Sequence, residues 1–501
     1  MNAKKFSKAI FLVYIFAFIG SVSSYLIRIL FSRQLTIAEY GLVYAVISFI
    51  FLLAPLRDLG MYESEIFFMS KYVAKKDYKK AKGVLWISLL PQLIFGFVIA
   101  GIVYIVKGYL VLNFFRNPKA DFLIDILLIM FLFGTLVPTL SAVFGAFQRL
   151  VIFNMKNYVN MTLIFLFSLL FFYLGFGINS TVYAYLAAAF FLVIIHYILY
   201  KLLIKEMCVK AYYDVKMTKK IFGYALPILF SSFATILLFY TDNLVLTWMK
   251  GTESVGYYNV VVPSLNVILV MITPLASVLF PVLSNFYHKK DSKMLSKVVS
   301  SLYNNLLIVT LPIAILFFLY SKEIIAFLFG AKYIPATFVL KVYILFFVFI
   351  ALRSINFAVI AAIGKARERS RIMYYGAFIN LILDFILIYY FDYLGAAIAT
   401  GIGFIVMAYL TMRIIMKSIN IKLDISAILG TLASCILFGI SSTILQKFIF
   451  FGNSLFAIMG EGFIVLSMSS IIYIISLFLF KVITKDKIFF VMNIIRRKSD
   501  L

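Results

Sequence analysis

The chain has 501 residues, of which 64% are hydrophobic, 18% aromatic and only 13% charged, with a formal net charge of +26. Soluble domains carry about 25% charged residues, so a water-soluble globular domain is excluded and a lipid bilayer is the solvent that satisfies this surface. Two cysteines, Cys208 and Cys435, cannot form a disulfide framework.

A spanning helix needs about 20 mostly apolar residues. Read in chain order with that ruler, the spans fall at 6–31, 40–56, 83–106, 122–147, 157–176, 181–204, 221–249, 255–286, 298–320, 336–363, 372–391, 394–416, 425–446 and 456–483. The expected fold is an all-α polytopic membrane protein of about 14 transmembrane helices. Barrel strands are excluded, because they are short and alternate polar with apolar residues. Lys4, Lys5 and Lys8 before the first apolar run imitate a secretory signal, but the run is too long for a signal core and no small-residue cleavage site follows, so it reads as the first span.

Charge sets the orientation. With the N-terminus in the cytoplasm, 34 of the 46 lysines and arginines fall on the cytoplasmic side, as the positive-inside rule requires. They include Lys71, Lys75 and Lys76 after the second span, Arg149 and Lys156 after the fourth, and Lys205 and Lys210 after the sixth. Both termini are therefore expected to be cytoplasmic. Basic residues scattered over eight short segments determine topology and do not form a nucleic-acid groove; no nucleic acid is expected as a partner.

The chain repeats itself. At a shift of 215, Glu39-Tyr40-Gly41 falls on Ser254-Val255-Gly256; at 216, Ala142-Val143-Phe144 falls on Ala358-Val359-Ile360; at 220, Leu174-Gly175 falls on Leu394-Gly395. A repeat of six helices gives two copies of the same orientation. The expected organisation is an N-terminal lobe over 1–210, a C-terminal lobe over 211–422, and an additional helix pair with a tail over 423–501. Two pseudo-symmetric six-helix lobes suit a transporter that opens to either face.

Charged residues at membrane depth are functional candidates by default. Arg28 lies in the first span, Arg57 closes the second beside Asp58, and Arg353 lies midway through the tenth. Each has an alternative: Arg28 or Arg353 could pair with an acid, and Arg57 could sit at the outer interface. Under the 215 shift Arg28 maps to Asn243, next to Asp242. Asp242 could form a bridge with Arg28 that breaks on switching, carry a coupling proton or sodium ion, or make a static pair. Asp384 is open to the same roles, with Arg371 or Arg353 as partner. His196 reads as a satisfied interior histidine. Glu63 and Glu65 read as solvated charges in a basic loop. No metal-ligand motif, paired catalytic carboxylates or nucleotide loop occurs, so no cofactor or metal and no enzyme activity is expected.

Several segments carry a family resemblance. Tyr240-Thr241-Asp242-Asn243 with Val255-Gly256-Tyr257-Tyr258-Asn259, Phe327-Leu328-Phe329-Gly330 with Tyr333, Asn380-Leu381-Ile382-Leu383-Asp384, and Gly395-Ala396-Ala397-Ile398-Ala399-Thr400 resemble polysaccharide transporters of the multidrug/oligosaccharidyl-lipid/polysaccharide flippase superfamily. Arg28, Glu39-Tyr40-Gly41 and Asp58-Leu59-Gly60 fit the same pattern. The resemblance covers residues 6 to about 480 and implies a Wzx-type flippase of the cell membrane, related to the lipid II flippase. Such a protein carries a polyprenyl-(pyro)phosphate-linked oligosaccharide from the cytoplasmic to the outer leaflet for surface polysaccharide or O-antigen assembly. It also implies Arg28 and Arg57 as pyrophosphate ligands, a last helix pair lining the lateral opening for the polyprenyl tail, and membrane lipid, a polysaccharide polymerase and glycosyltransferases as partners. The alternatives are an ion-coupled multidrug antiporter of the same superfamily and a membrane polymerase or glycosyltransferase.

Overall fold

The computed structural model describes residues 3–262, 283–421, 424–448 and 455–484. Regular structure among them is helical throughout, as the absence of water in hydrocarbon demands of any spanning backbone. Among the described residues, twelve segments are long and apolar enough to cross a membrane, and a further apolar helix over Ile464–Leu479 is shorter. Most of the predicted eighth span, 263–282, lies outside the described residues.

The first helices are α1 (Ala3–Gln34), α2 (Ile37–Leu52), α3 (Ala54–Asp58) and α4 (Met61–Ala74). Thr36 starts α2 with a capping box: its hydroxyl accepts from Glu39 N at 3.2 Å and Glu39 Oε2 accepts from Thr36 N at 3.0 Å. The predicted end of the second span at residue 56 is corrected, since helix resumes after Leu59 and Gly60, at φ 55° and 71°, and runs to Ala74. Pro55 and Gly60 mark a bend that imitates a terminus. Glycine is needed at 60 twice over, for its φ and because a Cβ there would stand 2.2 Å from Ala225 O. The basic loop after 56 is consequently a helix, and Glu65 lies within it at 0% exposure.

Next come α5 (Tyr78–Tyr109), α6 (Ala120–Phe133), α7 (Leu136–Ala146), α8 (Leu150–Tyr173), α9 (Asn179–Leu203), α10 (Val215–Lys250) and α11, described over 252–262. Lys156, expected in a loop, belongs to α8. The remaining helices are α12 (Ser292–Leu319), α13 (Ser321–Phe329), α14 (Thr337–Ala362), α15 (Ala366–Phe391), α16 (Tyr393–Ser418), α17 (Ile425–Phe448) and α18 (Leu455–Leu479). Asp77, Asp214, Asp291 and Asp424 cap the starts of α5, α10, α12 and α17, each accepting from the backbone N–H three residues on.

The chain forms two compact units: Met1–Val267 with Ala326–Ala336 and Ala377–Thr400, and the rest. In the first, α1 packs on α8 and α8 on α9, while α4 packs on α5, α7 and α10 around Met61, Met69, Val84, Phe144 and Ile221. Here α2 and α11 cross at two glycines. A Cβ on Gly41 would stand 1.7 Å from Thr252 O, and one on Gly256 2.5 Å from Ile37 O. The contact is reciprocal under the 215 shift, which maps Gly41 to Gly256 and Ile37 to Thr252.

In the second unit α12 packs on α14 and α17, and α17 on α18, around Cys435, Phe438, Tyr473 and Leu477. Pro312 inside α12 has no N–H to give the carbonyl four residues earlier. That carbonyl, Ile308 O, instead accepts from Tyr473 Oη of α18 at 2.7 Å. Tyr473→Phe is expected to cost about 1 kcal/mol of unfolding free energy in detergent. In a Pro312→Ala background, where the helix regains its own donor, the same change is expected to cost much less. Equal costs in a double-mutant cycle would disprove the pairing.

Candidate functional site

The candidate site in the first unit starts from Arg28 on α1. Its guanidinium lies 3.7 Å over the Tyr44 ring and its Nη1 is 3.5 Å from Asn259 Oδ1. Tyr40, Tyr185 and Tyr240 complete its surroundings. The residue is half-buried, and among the described residues no carboxylate lies in ion-pair reach of it. A desolvated arginine ringed by phenols and free of acids retains donors for an anion.

Asn259 extends the network. Its Nδ2 donates to Asn243 Oδ1 at 2.7 Å, its carbonyl accepts from Tyr40 Oη at 3.3 Å, and Asn243 Nδ2 donates to Ser48 Oγ at 2.7 Å. Under the 215 shift Arg28 and Tyr44 map to Asn243 and Asn259. Both pairs are in contact, and Arg28 with Asn259 ties one pair to the other.

Asp242, the next residue on α10, does not bond to Arg28. Its carboxylate accepts from Tyr258 Oη and from Thr400 Oγ1 of α16, the latter at 2.7 Å. Asn380 of α15, turned so that its nitrogen faces the carboxylate, donates to Asp242 Oδ1 at 3.2 Å and accepts from Thr400 N at 3.2 Å. Asp384 lies one turn on from Asn380 along α15. It is 0% exposed and adjacent to Asp242, and neither of its carboxylate oxygens meets a donor among the described residues. The arginine partner expected for Asp384 is thus replaced by a second acid, and Arg371 pairs with Glu368 at 3.0 Å.

Arg57 faces a different task. The α6–α7 junction contains Pro138, which leaves Gly134 O without its helical donor. Arg57 Nη2 donates to that carbonyl at 3.1 Å, and Nη1 donates to Phe131 O. A Cβ on Gly134 would stand 2.5 Å from Arg57 Nη1. In this structure the guanidinium is engaged in holding a broken helix. Arg353, in the second unit, is 9% exposed; its guanidinium lies 4.8 Å from the Phe404 ring centroid and 5.2 Å from that of Phe357. Its Nε has no partner among the described residues.

One further acid and a histidine differ from expectation or refine it. Glu65 is no solvated charge: it is enclosed near Asp58 and Lys156, with both oxygens unpartnered among the described residues. His196 is interior as expected, its Nδ1 2.9 Å from Leu192 O, but its Nε2 has no partner among those residues. Sequence reasoning quoted Tyr258, Asn259, Asn380 and Thr400 without giving them roles. Asparagines at mid-span were the signal, since a buried amide must find partners.

A family model described as polysaccharide biosynthesis protein matches residues 7–287, more than half of the chain. The chain belongs to the polysaccharide biosynthesis protein family. Its twelve apolar spans among the described residues make it a multi-pass membrane protein. An uncharacterized membrane protein, MJ1068 of Methanocaldococcus jannaschii, is 29% identical over 406 residues, 78% of this chain and 80% of that protein. Agl15 of Haloferax volcanii, named a "Probable low-salt glycan biosynthesis flippase", is 24% identical over 233 residues, 45% of this chain and 48% of its own. Among solved structures, the lipid II flippase MurJ in an inward closed conformation matches with a TM-score of 0.74 at 16% identity, over 94% of this chain and 98% of that one. The fold is therefore MurJ-like.

Arg57→Lys keeps the charge of this family member but loses the planar fork that reaches two carbonyls. It is expected to cost about 2 kcal/mol of stability, judged from charge-assisted hydrogen bonds, read as a lower unfolding midpoint in detergent. An unchanged midpoint would show that the carbonyls of Phe131 and Gly134 do not depend on Arg57.

Proposed function

We propose that the chain translocates a polyprenyl-(pyro)phosphate-linked oligosaccharide from the cytoplasmic to the outer leaflet by alternating access. The observation that carries this reading is Arg28, half-buried in a cage of tyrosines with no acid to neutralise it among the described residues. A phosphorylated glycan cannot cross hydrocarbon unaided, and a guanidinium offers planar donors to phosphate while the tyrosines offer faces and hydroxyls to sugar. The polyprenyl tail stays in lipid. Agl15 and MurJ, whose names point to glycan and lipid II flipping, support this cargo.

The proposal includes fourteen spans, both termini in the cytoplasm, and two pseudo-symmetric lobes over 1–210 and 211–422 with an added pair over 423–501. The reciprocal Gly41–Gly256 contact supports the duplication. Arg353, with an unpartnered Nε, is a second phosphate ligand in this reading. Arg57 would join only in a state that releases its carbonyls. A polymerase and glycosyltransferases supply and consume the cargo. The rival, a multidrug antiporter handling cationic drugs, is disfavoured by a guanidinium among the aromatics where such a cargo needs an acid.

Asp242 and Asp384 are proposed to couple transport to an ion. Two adjacent carboxylates enclosed together cannot both carry an uncompensated charge. A shared proton, or a hard monovalent cation held by carboxylate and hydroxyl oxygens, relieves them. The residues fit either solution, because Asp384 keeps both oxygens open. Because these acids lie on α10 and α15, occupation of the pair would set how those two helices pack.

Arg28→Ala is expected to lower headgroup transfer in proteoliposomes about 10- to 100-fold, the worth of one to two charge-assisted bonds, at unchanged insertion. Wild-type transfer by this variant removes Arg28 from the site. Asp384→Asn is expected to abolish the response of transport to an imposed sodium or proton gradient; a full response in that variant would end the coupling role.

A further inference from the structure

A groove of about 870 Å³ opens on the first unit, at the start of α5 and the end of α9, where the 3-10 turn Lys205–Met207 and the irregular linker to α10 close it. Its lining carries three lysines, Lys82, Lys201 and Lys210, beside Trp86, Leu90 and Tyr213, and no acid. The linker is held in place: Tyr212 N donates to Lys79 O at 3.0 Å, and Tyr212 O lies where a Cβ on Gly83 would meet it at 1.9 Å. From the groove, exposed apolar side chains continue along α5 as Trp86, Leu90, Ile94 and Phe97, at helical spacing on one face, and along α9 as Tyr197, Ile194 and Phe190.

We infer that this groove binds an anionic phospholipid of the leaflet that surrounds it. The lysines are compact cations suited to a phosphodiester at the headgroup level, Trp86 and Tyr213 are interfacial anchors, and the two apolar ridges leading away accept acyl chains. Its opening toward exposed apolar surface and its lack of arginine suit bulk lipid better than a pyrophosphate cargo. A lipid seated there would brace the linker that joins α9 to α10.

The chain has two tryptophans, Trp86 and Trp248, so Trp248→Phe leaves one reporter inside the groove. In mixed vesicles of phosphatidylcholine, brominated phosphatidylglycerol is expected to quench Trp86 at a mole fraction at least about tenfold below that needed by brominated phosphatidylcholine. Each lysine is expected to contribute about fivefold. A Lys82→Gln, Lys201→Gln, Lys210→Gln variant should lose this preference, whereas Lys289→Gln, Lys290→Gln, Lys293→Gln should keep it. Maleimide labelling of exposed Cys208, which lines the same groove, should slow in phosphatidylglycerol vesicles and gives a readout that needs no tryptophan change. Equal quenching by the two lipids, or a preference untouched by the triple variant, overturns the site. Relief of quenching by trace polyprenyl diphosphate, at under one molecule per hundred lipids, would assign the groove to the carrier lipid and overturn the phospholipid. None of these outcomes depends on transport, so they stand apart from the test of Arg28.

Discussion

Inside a bilayer a backbone carbonyl that loses its helical donor has no water to turn to, and this constraint organises the molecule. Pro138 frees Gly134 O and Arg57 answers it; Pro312 frees Ile308 O and Tyr473 answers that. Each answer comes from a helix distant in sequence, so each of these two breaks becomes a tertiary tether. Bends that would weaken an isolated helix thereby fix which helices are neighbours.

The same constraint makes unanswered groups informative. Among the described residues, Asp384 and Glu65 keep carboxylate oxygens without donors in enclosed surroundings, and Arg353 keeps an idle N–H. Buried amides such as Asn243, Asn259 and Asn356 make several bonds each, and a charged group costs far more than a hydroxyl to leave without any, so open valences on carboxylates and a guanidinium mark places where something else must enter. Arg28 belongs to the same class on the cationic side. Its tyrosine cage lowers the cost of holding a charge at that depth without cancelling the charge.

Much of this was legible in the sequence. Long apolar runs separated by basic loops predict the helices closely, because hydropathy and span length follow directly from the thickness of the bilayer. The duplicated segments pointed to Gly41 and Gly256 and to the correspondence of Arg28 with Asn243. What escaped were matters of partnership. Glu65 was misread because Pro55 and Gly60 look like a terminus, and nothing local says that a helix resumes beyond them. Arg57 read as a free ligand, since the proline that claims it lies some eighty residues on. Asp384 invited an arginine partner on charge alone, whereas geometry gave it Asp242. Pairings across the fold depend on which faces meet, and periodicity in one helix carries little of that.

The crossing of α2 with α11 has an implication for how such a chain could arise. Each glycine meets the backbone position that is its counterpart's own neighbour, which is the pattern of an isologous interface about a two-fold axis. Under the proposed duplication, two unlinked copies of a six-helix ancestor would dock through the same patch, glycine against glycine, with no new surface required at fusion. Joining them would then free each copy to diverge, leaving an arginine over a tyrosine on one side of the axis and two facing amides on the other.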